Sequence, residues 1–432
     1  MRPPRLMLLM SLWSLALANP ADSLTLHVPS GYATIQAALT AAASGDTVLV
    51  APGTYVGSGN KDLDFAGKSI VLRSSGGAAA TVIDCEGSGR GIHFHTNETA
   101  AARVEGLTIR GGGVGGSGGA IHCMTASPTI TDCVFTANTA TNGGAVSVHF
   151  FGAPALECCR ITGNTAQEGG ALHFMYAGSV VVSECILTGN KADTFGGAVS
   201  SRYASSPQLV ACTLAGNTAS TGGGAYVYQA ALSAERTILH GNCASEGAQL
   251  FTISGTAVSF VCSAVDSTGV DGTGPVSYTG SQVFDDPLLC APAPCASAPT
   301  DGGDYAPSAG SPILAENSPC GETIGAIGVP CGVVGVAASR ATVPEVLARP
   351  NPARRGATIA FSLVAPARAR LEVHDVAGRR VAVLLDEMQA AGAHEIVWTG
   401  RDDRGRRVAP GIYFTAMETA AGRSTAKLVL LD

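Results

Sequence analysis

The sequence predicts an all-β chain in which a long right-handed parallel β-helix is followed by a small β-sandwich, and three observations carry that prediction. First, one phrase recurs at near-constant spacing: CVFTANTATNGGAV from Cys133, CRITGNTAQEGGAL from Cys159, CILTGNKADTFGGAV from Cys185, CTLAGNTASTGGGAY from Cys212, and a worn TILHGNCASEGAQL from Thr237. The four cysteines stand 26, 26 and 27 residues apart, and Asn138, Asn164, Asn190, Asn217 and Asn242 keep step. A fixed period of this length means a solenoid, one circuit per repeat. Second, each repeat holds short runs of β-branched and aliphatic residues, such as SPTITDCVF and SVVVSECIL, broken by Asn and Gly pairs. No stretch has helical periodicity long enough for a helical coil. Three short strands per turn follow, with rungs about 4.8 Å apart and the right-handed winding usual for parallel connections. Third, 55 glycines, 14% charged residues and 5% aromatics suit thin coils with tight corners.

Along the chain, residues 1–21 read as an export signal. Arg2 and Arg5 precede the apolar run LMLLMSLWSLALA, with an A-x-A cleavage site at Ala16 and Ala18 and an alternative ending at Ala21. The run is too short to span a bilayer well, and no later stretch reaches ~18 uninterrupted apolar residues, so no transmembrane segment is expected after cleavage. Residues 22–332 form the β-helix. Within it ATIQAALTAAA is a short amphipathic helix that covers the open end of the stack, where bare strand edges would otherwise be exposed, and DTVLVAPGTY is a first strand ending in a turn. Less regular coils fill 62–110, and 105–251 carry the clear repeat. Residues 333–348 are a linker. In 349–432 strands such as ARLEVHDV, HEIVWTG and GIYFTAME alternate with the turns AGRR and DRGRR, which marks a β-sandwich.

Several of these phrases resemble known families. The segment LTLHVPSGYATIQAALTAAASGDTVLVAPGTYVG is similar to the N-terminal cap of pectin methylesterases and pectate lyases, implying a pectin lyase-like helix. FTAN with GGAV, ITGN with GGAL and LTGN with GGAV resemble the F-x-x-N and GGA-I/L/V repeats of polymorphic outer membrane proteins, which are surface adhesins. Phe is kept only at Phe135, and Ile161, Leu187, Leu214 and Leu239 replace it. FDDPLL, GGDYAPSAGSPIL and ETIGAIG, between 263 and 331, resemble the closing coil of secreted β-helix proteins. RPNPARRGATIAFSL, LEVHDVAGRRVAVLLDE, HEIVWTGRDDRGRRVAPGIYF and the terminal KLVLLD look like the Ig-like sorting domain of type IX secretion and of the flagellar hook-cap (FlgD) family. That resemblance implies a bacterial protein, secreted or held at the outer cell surface, with the secretion machinery as partner.

A net charge of −7 and a pI near 5.7 leave no basic footprint, so no nucleic acid partner is expected. The thirteen cysteines fall into two groups. Cys133, Cys159, Cys185 and Cys212 share one repeat position and form an inward stack with a packing role. Cys290, Cys295, Cys320 and Cys331 lie in the irregular region at the helix end, where bridges would staple loops. Paired C-x-x-C sequences, the usual zinc signature, do not occur. The Asn column forms a hydrogen-bonded ladder at one corner of each coil, and the glycine pairs permit the bend after it. These columns are structural.

Catalysis by the related families needs residues that are missing. There is no counterpart of the paired aspartates of pectin methylesterases, and the NTD and GHG phrases of polygalacturonases are not found. The repeat region is too poor in Asp and Glu for a pectate-lyase calcium site, and Asp132, Glu157 and Glu184 read as a solvated rung of like charges. One constellation remains. Aligning GRGIHFH, GGAIHCM, GGAVSVHF, GGALHFM and GGAVSSR points Ile92, Ile121, Val146, Leu172 and Val199 inward. Period-two alternation then sends His93, His122, Ser147, His173 and Ser200 outward, with His95, Met124, His149, Met175 and Arg202 two residues on. Five of the nine histidines share this face, beside Phe150, Tyr176 and Tyr203 at the strand end. Such a face admits three readings: a transition-metal site of neutral imidazoles, a shallow saccharide groove, or a solvated strand with no ligand. The ligand-binding candidates are therefore His93, His95, His122, His149, His173, Tyr176 and Tyr203; no metal, cofactor or catalytic residue is assigned. The expected function is a non-catalytic adhesin or glycan-binding module with cell-surface polysaccharide as partner. The alternatives are a lyase or hydrolase of acidic polysaccharide and a passive scaffold.

Overall fold

The computed structural model describes residues 23–326 except 254, and 347–431 except 350–352, 354–355, 364–366, 377, 391 and 420–421. The expected leader, Cys331 and most of the expected linker lie outside the described residues. The chain separates into two units, Met1–Val333 and Val334–Asp432.

The first unit is a right-handed parallel β-solenoid built from one eleven-stranded and two nine-stranded parallel sheets. A representative coil runs through Ile121–Met124, Thr129–Thr131 and Val134–Thr136, one strand in each sheet. Each strand is only three or four residues long because left-handed residues end it: Thr125 at φ 57°, Asp132 at 53° and Ala137 at 53°. Alternation does the rest, placing Ile121, Cys123, Ile130 and Phe135 in the core and pointing their neighbours away from it. The register is constant from coil to coil, so like residues stack: Phe135 on Ile161, Ile161 on Leu187, Leu187 on Leu214. Burying each such side chain contributes about 1.5–3 kcal/mol.

The middle coils carry a fourth element that the three-strand expectation lacked. Thr139–Asn142, Thr165–Glu168 and Lys191–Phe195, between the Asn and the glycine turn, pair in a three-stranded parallel sheet. The turn that follows needs glycine twice. Gly143 has φ 64°, and a Cβ on Gly144 would sit 2.4 Å from the Gly170 carbonyl oxygen of the next coil.

Two polar columns run inside this stack. Asn138, Asn164, Asn190, Asn217 and Asn242 are buried, and each of the first four donates from its backbone N–H and its side-chain amide to the Oδ1 of the next, at 2.9–3.1 Å. The same amides donate to carbonyls of the coil before, as Asn190 does to Ile161. Gln249 closes the ladder on Asn242 at 2.7 Å. The thiols of Cys133, Cys159, Cys185 and Cys212 are buried and point to backbone carbonyls, such as Thr131 at 3.2 Å from Cys133. Burial pushes their pKa values up, Cys212 to about 12, so they are inert packing groups.

The helix Ile35–Ala41 closes the N-terminal end. Thr34 caps it by accepting from the Ala37 N–H, and Ile35, Ala38 and Leu39 are buried against the first coils. At the other end the expected closing coil behaves differently. Residues beyond 283 turn back along the outside of the stack: Leu289–Ala291 and Asp304–Pro307 pair antiparallel, and the Thr300 N–H donates to Gly189 while its carbonyl accepts from Thr162 Oγ1. A second small core explains this path, because Ile238, Ala264, Val283, Ile313 and Ile324 bury one another under the returning chain. The disulfides Cys243–Cys295 and Cys262–Cys320 fasten it to the solenoid. Cys295 and Cys320 are thus bridged to the coils, whereas cysteine placement puts their partners in the tail.

The second unit holds a three-stranded and a four-stranded antiparallel sheet. The strand Leu347–Arg349 begins within the expected linker. Trp398 is buried with its indole N–H donated to the Arg401 carbonyl at 2.9 Å, and Tyr413 donates to Ala409 at 2.6 Å. Both amphipathic rings thus satisfy their polar handle.

Candidate functional site

Parallel pairing sets the histidine face. Ile92 pairs with Ile121, Ile121 with Val146, Val146 with Leu172 and Leu172 with Val199, all pointing inward. The same register aligns His93, His122, Ser147, His173, Ser200 and Tyr226 in one column. His149 pairs with Met175, which pairs with Arg202 and then Tyr228, in a second.

From His122 to Tyr226 the first column points away from the core and is nevertheless closed to water. His122 is 9% exposed, His173 1%, and Ser147 and Ser200 are fully buried. This corrects the picture of an open outward face for these residues. The fourth element of the middle coils rises beside the column: Glu168 reaches His173, and the Phe195 ring packs on Tyr226 at 4.5 Å. The imidazoles also cover one another. His93 stacks on His122 at 5.0 Å, His122 meets His149 edge-on at 5.2 Å, and His149 meets His173 at 5.5 Å.

Ser147 sits at the centre of this row. Its Oγ lies 3.0 Å from His149 Nε2 and 3.4 Å from His173 Nδ1, and those two nitrogens are 3.4 Å apart. His173 Nε2 faces Glu168 Oε2 at 3.7 Å, and Arg202 donates to the same oxygen. Burial would raise the Glu168 pKa, but the His173 and Arg202 contacts hold it low. Burial pushes His122 down to about 3 and His93 and His149 to about 4, helped by His149 beside His122, Arg90 beside His93 and His173 beside His149. His173 is lowered by the same cause against the pull of Glu168. The row is therefore uncharged at neutral pH. His122 keeps both ring nitrogens buried and without a partner, as do His93 Nε2 and Ser200 Oγ.

Exposure returns at the strand ends. Phe151 is 82% exposed, Phe150 and Tyr176 nearly half. Phe151, Tyr176, Tyr203 and Tyr228 follow one another through backbone hydrogen bonds, and Tyr176 stacks on Tyr203 at 5.3 Å. Phe150, Phe151, Tyr176 and Tyr203 have φ between 48° and 65°, a conformation that bulky residues rarely adopt. Other corners of the coil share it, so the turn belongs to the architecture and the aromatic identity belongs to this corner. The Arg202 guanidinium lies among Phe195, Tyr203, Tyr226 and Tyr228, 5.2–5.6 Å from each ring centre.

The candidates are thus distributed over one face. His122, His149 and His173 form the buried row, His93 continues it with partial exposure, and His95 ends it beside Asp64 at 3.4 Å. Tyr176 and Tyr203 line the rim. Sequence reading missed Glu168; its signal was a single acidic residue immediately before GGAL, where the neighbouring repeats carry Asn142, Phe195 and Thr221. Among the described residues no group of three or more His, Cys, Asp or Glu is placed to hold a metal ion, and no helix is long and apolar enough to cross a membrane.

The fold and this face define a β-solenoid with an aromatic-rimmed polar surface, followed in the chain by a small antiparallel domain. Family comparison gives each part its kin: residues 69–265 match the right-handed β-helix region, and residues 352–423 match the FlgD Ig-like domain. No curated protein matches the chain. The similar solved structures include the following three. One is PorZ, a bacterial surface component of the type IX secretion system of Porphyromonas gingivalis, at 22% identity over 20% of this chain, with a TM-score of 0.16. The chain spans only 11% of PorZ. The others are an Acinetobacter phage tailspike protein (8% identity, 88% of this chain and 73% of that one, TM-score 0.30) and the PL6 family alginate lyase AlyGC (12%, 76% and 60%, 0.25).

Proposed function

We propose that this is a secreted or cell-surface glycan-binding protein without catalysis, exported by way of its C-terminal domain. The observation that carries the reading is the in-register rim of Phe150, Phe151, Tyr176 and Tyr203 along a polar face. Aromatic rings at the same corner of three successive coils, with Phe150, Phe151 and Tyr176 exposed, suit an extended saccharide chain lying along the solenoid. The buried histidine row supplies a rigid floor to that surface. The match of 352–423 to the FlgD Ig-like domain supports the export role.

The test is binding of the mature protein to a panel of immobilised polysaccharides, with Phe151→Ala and Tyr176→Ala measured alongside. Retention that drops tenfold or more in these variants, with no product released on incubation, is the expected result. A second reading has one observation in its favour: His149 is uncharged at neutral pH, as a general base must be, next to the His173–Glu168 pair. Release of reducing ends or unsaturated products, abolished by His149→Ala, would establish a polysaccharide lyase or hydrolase instead.

A further inference from the structure

We infer that the C-terminal unit holds a binding site for a phosphate monoester, formed by two arginine turns. The site lies wholly within that unit and is independent of the glycan-binding reading. Charge is segregated along the chain: residues 349–432 hold 13 Lys and Arg against 9 Asp and Glu, a net +4, while residues 1–348 hold 13 against 24, a net −11. Of the 13 cations after residue 348, 12 are arginine. Arginine presents a planar fork of donors that meets the oxygens of a phosphate two at a time, which a lysine ammonium does not.

One phrase, Asp-x-x-Gly-Arg-Arg, occurs twice in this unit, as DVAGRR from Asp375 and DDRGRR from Asp402. Both copies fold alike. Asp375 accepts from the Arg379 backbone N–H and guanidinium at 3.0 Å. Asp402 accepts from the Arg406 N–H at 2.9 Å and from its guanidinium at 2.9 and 3.0 Å. Gly378 and Gly405 turn the chain, at φ 77° and 75°. The two turns are held side by side, because the Asp403 N–H donates to the Val381 carbonyl and Asp403 Oδ1 accepts from the Val383 N–H at 2.9 Å. Both turns line one cleft of about 620 Å³, a volume within the usual range of small-ligand sites.

Five arginines and three aspartates line this cleft. The aspartates are already engaged. Arg379 and Arg406 are matched by Asp375 and Asp402, and Arg380 faces Asp403 at 3.9 Å and Glu372, which also holds Arg370, at 3.7 Å. Arg404 and Arg407 are exposed, and among the described residues no carboxylate pairs with either guanidinium. The walls therefore carry two positive charges more than negative ones. A phosphate monoester carries about −1.5 to −2 at pH 7 and three acceptor oxygens, so a single group balances that excess. A carboxylate carries a single charge and would leave one guanidinium unmatched.

The test is calorimetric titration of the full mature chain with glucose 6-phosphate, with glucuronate as the carboxylate control at matched ionic strength, and sedimentation with phosphatidylcholine vesicles carrying phosphatidic acid. The expected result is saturable binding of glucose 6-phosphate, at least about tenfold tighter than glucuronate and weakened about tenfold or more in the double variant Arg404→Gln with Arg407→Gln. Arg404→Lys with Arg407→Lys keeps the charge and loses the fork, so binding should weaken at least about threefold. Arg368→Gln, which removes an exposed pair with Asp386 outside the cleft, should change binding by less than about twofold. Vesicle binding lost in the same double variants would assign the phosphate to a lipid headgroup, and binding of the sugar phosphate alone would assign it to a soluble ester; both support the site. Binding of neither probe, equal affinity for glucuronate, or a lysine variant equal to the parent would overturn it. Both arginines are exposed, so a thermal melt matching the parent protein separates lost binding from lost fold.

Discussion

The asparagine ladder and the histidine row from His122 to His173 climb the same stack and are both buried, yet the polar atoms of His122 are treated in the opposite way from those of the ladder. Each inner Asn donates its amide hydrogens to the next Asn and to a carbonyl of the coil before, and its oxygen accepts from the preceding Asn. His122 has neither nitrogen used. A buried polar group that is satisfied stabilises a fold by a modest amount, whereas one left open is a cost. The Asn column is therefore structure for its own sake. The His row, paired at His149 and His173, carries at His122 an unused capacity that the fold tolerates.

The contrast can be broken most forcefully from the Asn side. Asn190→Ala strands the Asn164 donors and the Ile161 and Thr188 carbonyls in the core. With several groups left unpaired at about 1–3 kcal/mol each, a loss of about 3–5 kcal/mol is expected in urea denaturation. A loss below about 1 kcal/mol would mean that water replaces the ladder freely.

Acid probes the other side. The ordinary histidine pKa is about 6.5, and in the folded protein His93 and His149 are held near 4 and His122 near 3. Below pH 6.5 the unfolded chain takes up protons that the folded chain refuses, so stability falls as pH drops from 6.5 toward 3–4 and is unaffected by these groups above 6.5. The melting temperature should decline steadily across that window. A flat profile between pH 6.5 and 4.5 would show that the row protonates in place.

The smallest expected effect sharpens the comparison most. His122→Phe replaces an unpartnered imidazole by an apolar ring of similar shape, which is near-neutral or stabilising where no hydrogen bond is lost. At pH 7 the change should lie within about 1 kcal/mol of zero, and the acid decline should become shallower. A loss comparable with that of Asn190→Ala would place His122 in a hydrogen-bonded network after all.

Much of this molecule is legible in its sequence, for reasons visible at single positions. A period of 26 or 27 residues with strict two-residue alternation leaves one register, since a one-residue slip would turn every core residue out. That is why the phrases GGAIHCM, GGAVSVHF and GGALHFM stack His122, Ser147 and His173. The Cys and Asn columns follow from the same rule. Outward direction, however, does not state exposure. The burial of His173 comes from Glu168 and from rings one coil away, and sequence spacing of 26 residues does not reveal which side chains lean over which.

What the sequence by itself determined is the periodic part: coil length, strand register, the inward and outward columns, the glycine bends and the change to an antiparallel domain in the C-terminal part. All are set by local sterics and by hydrophobic alternation repeated until one arrangement satisfies every copy. What only the tertiary structure decided is aperiodic. It chose Cys243 and Cys262 as bridge partners for Cys295 and Cys320, sent the tail back along the stack over Ile238, joined Glu168 to His173 and Arg202, and closed the histidine row while leaving the aromatic rim in solvent. Each depends on contacts between residues with no fixed spacing in the chain, and such contacts exist only once the coils are stacked.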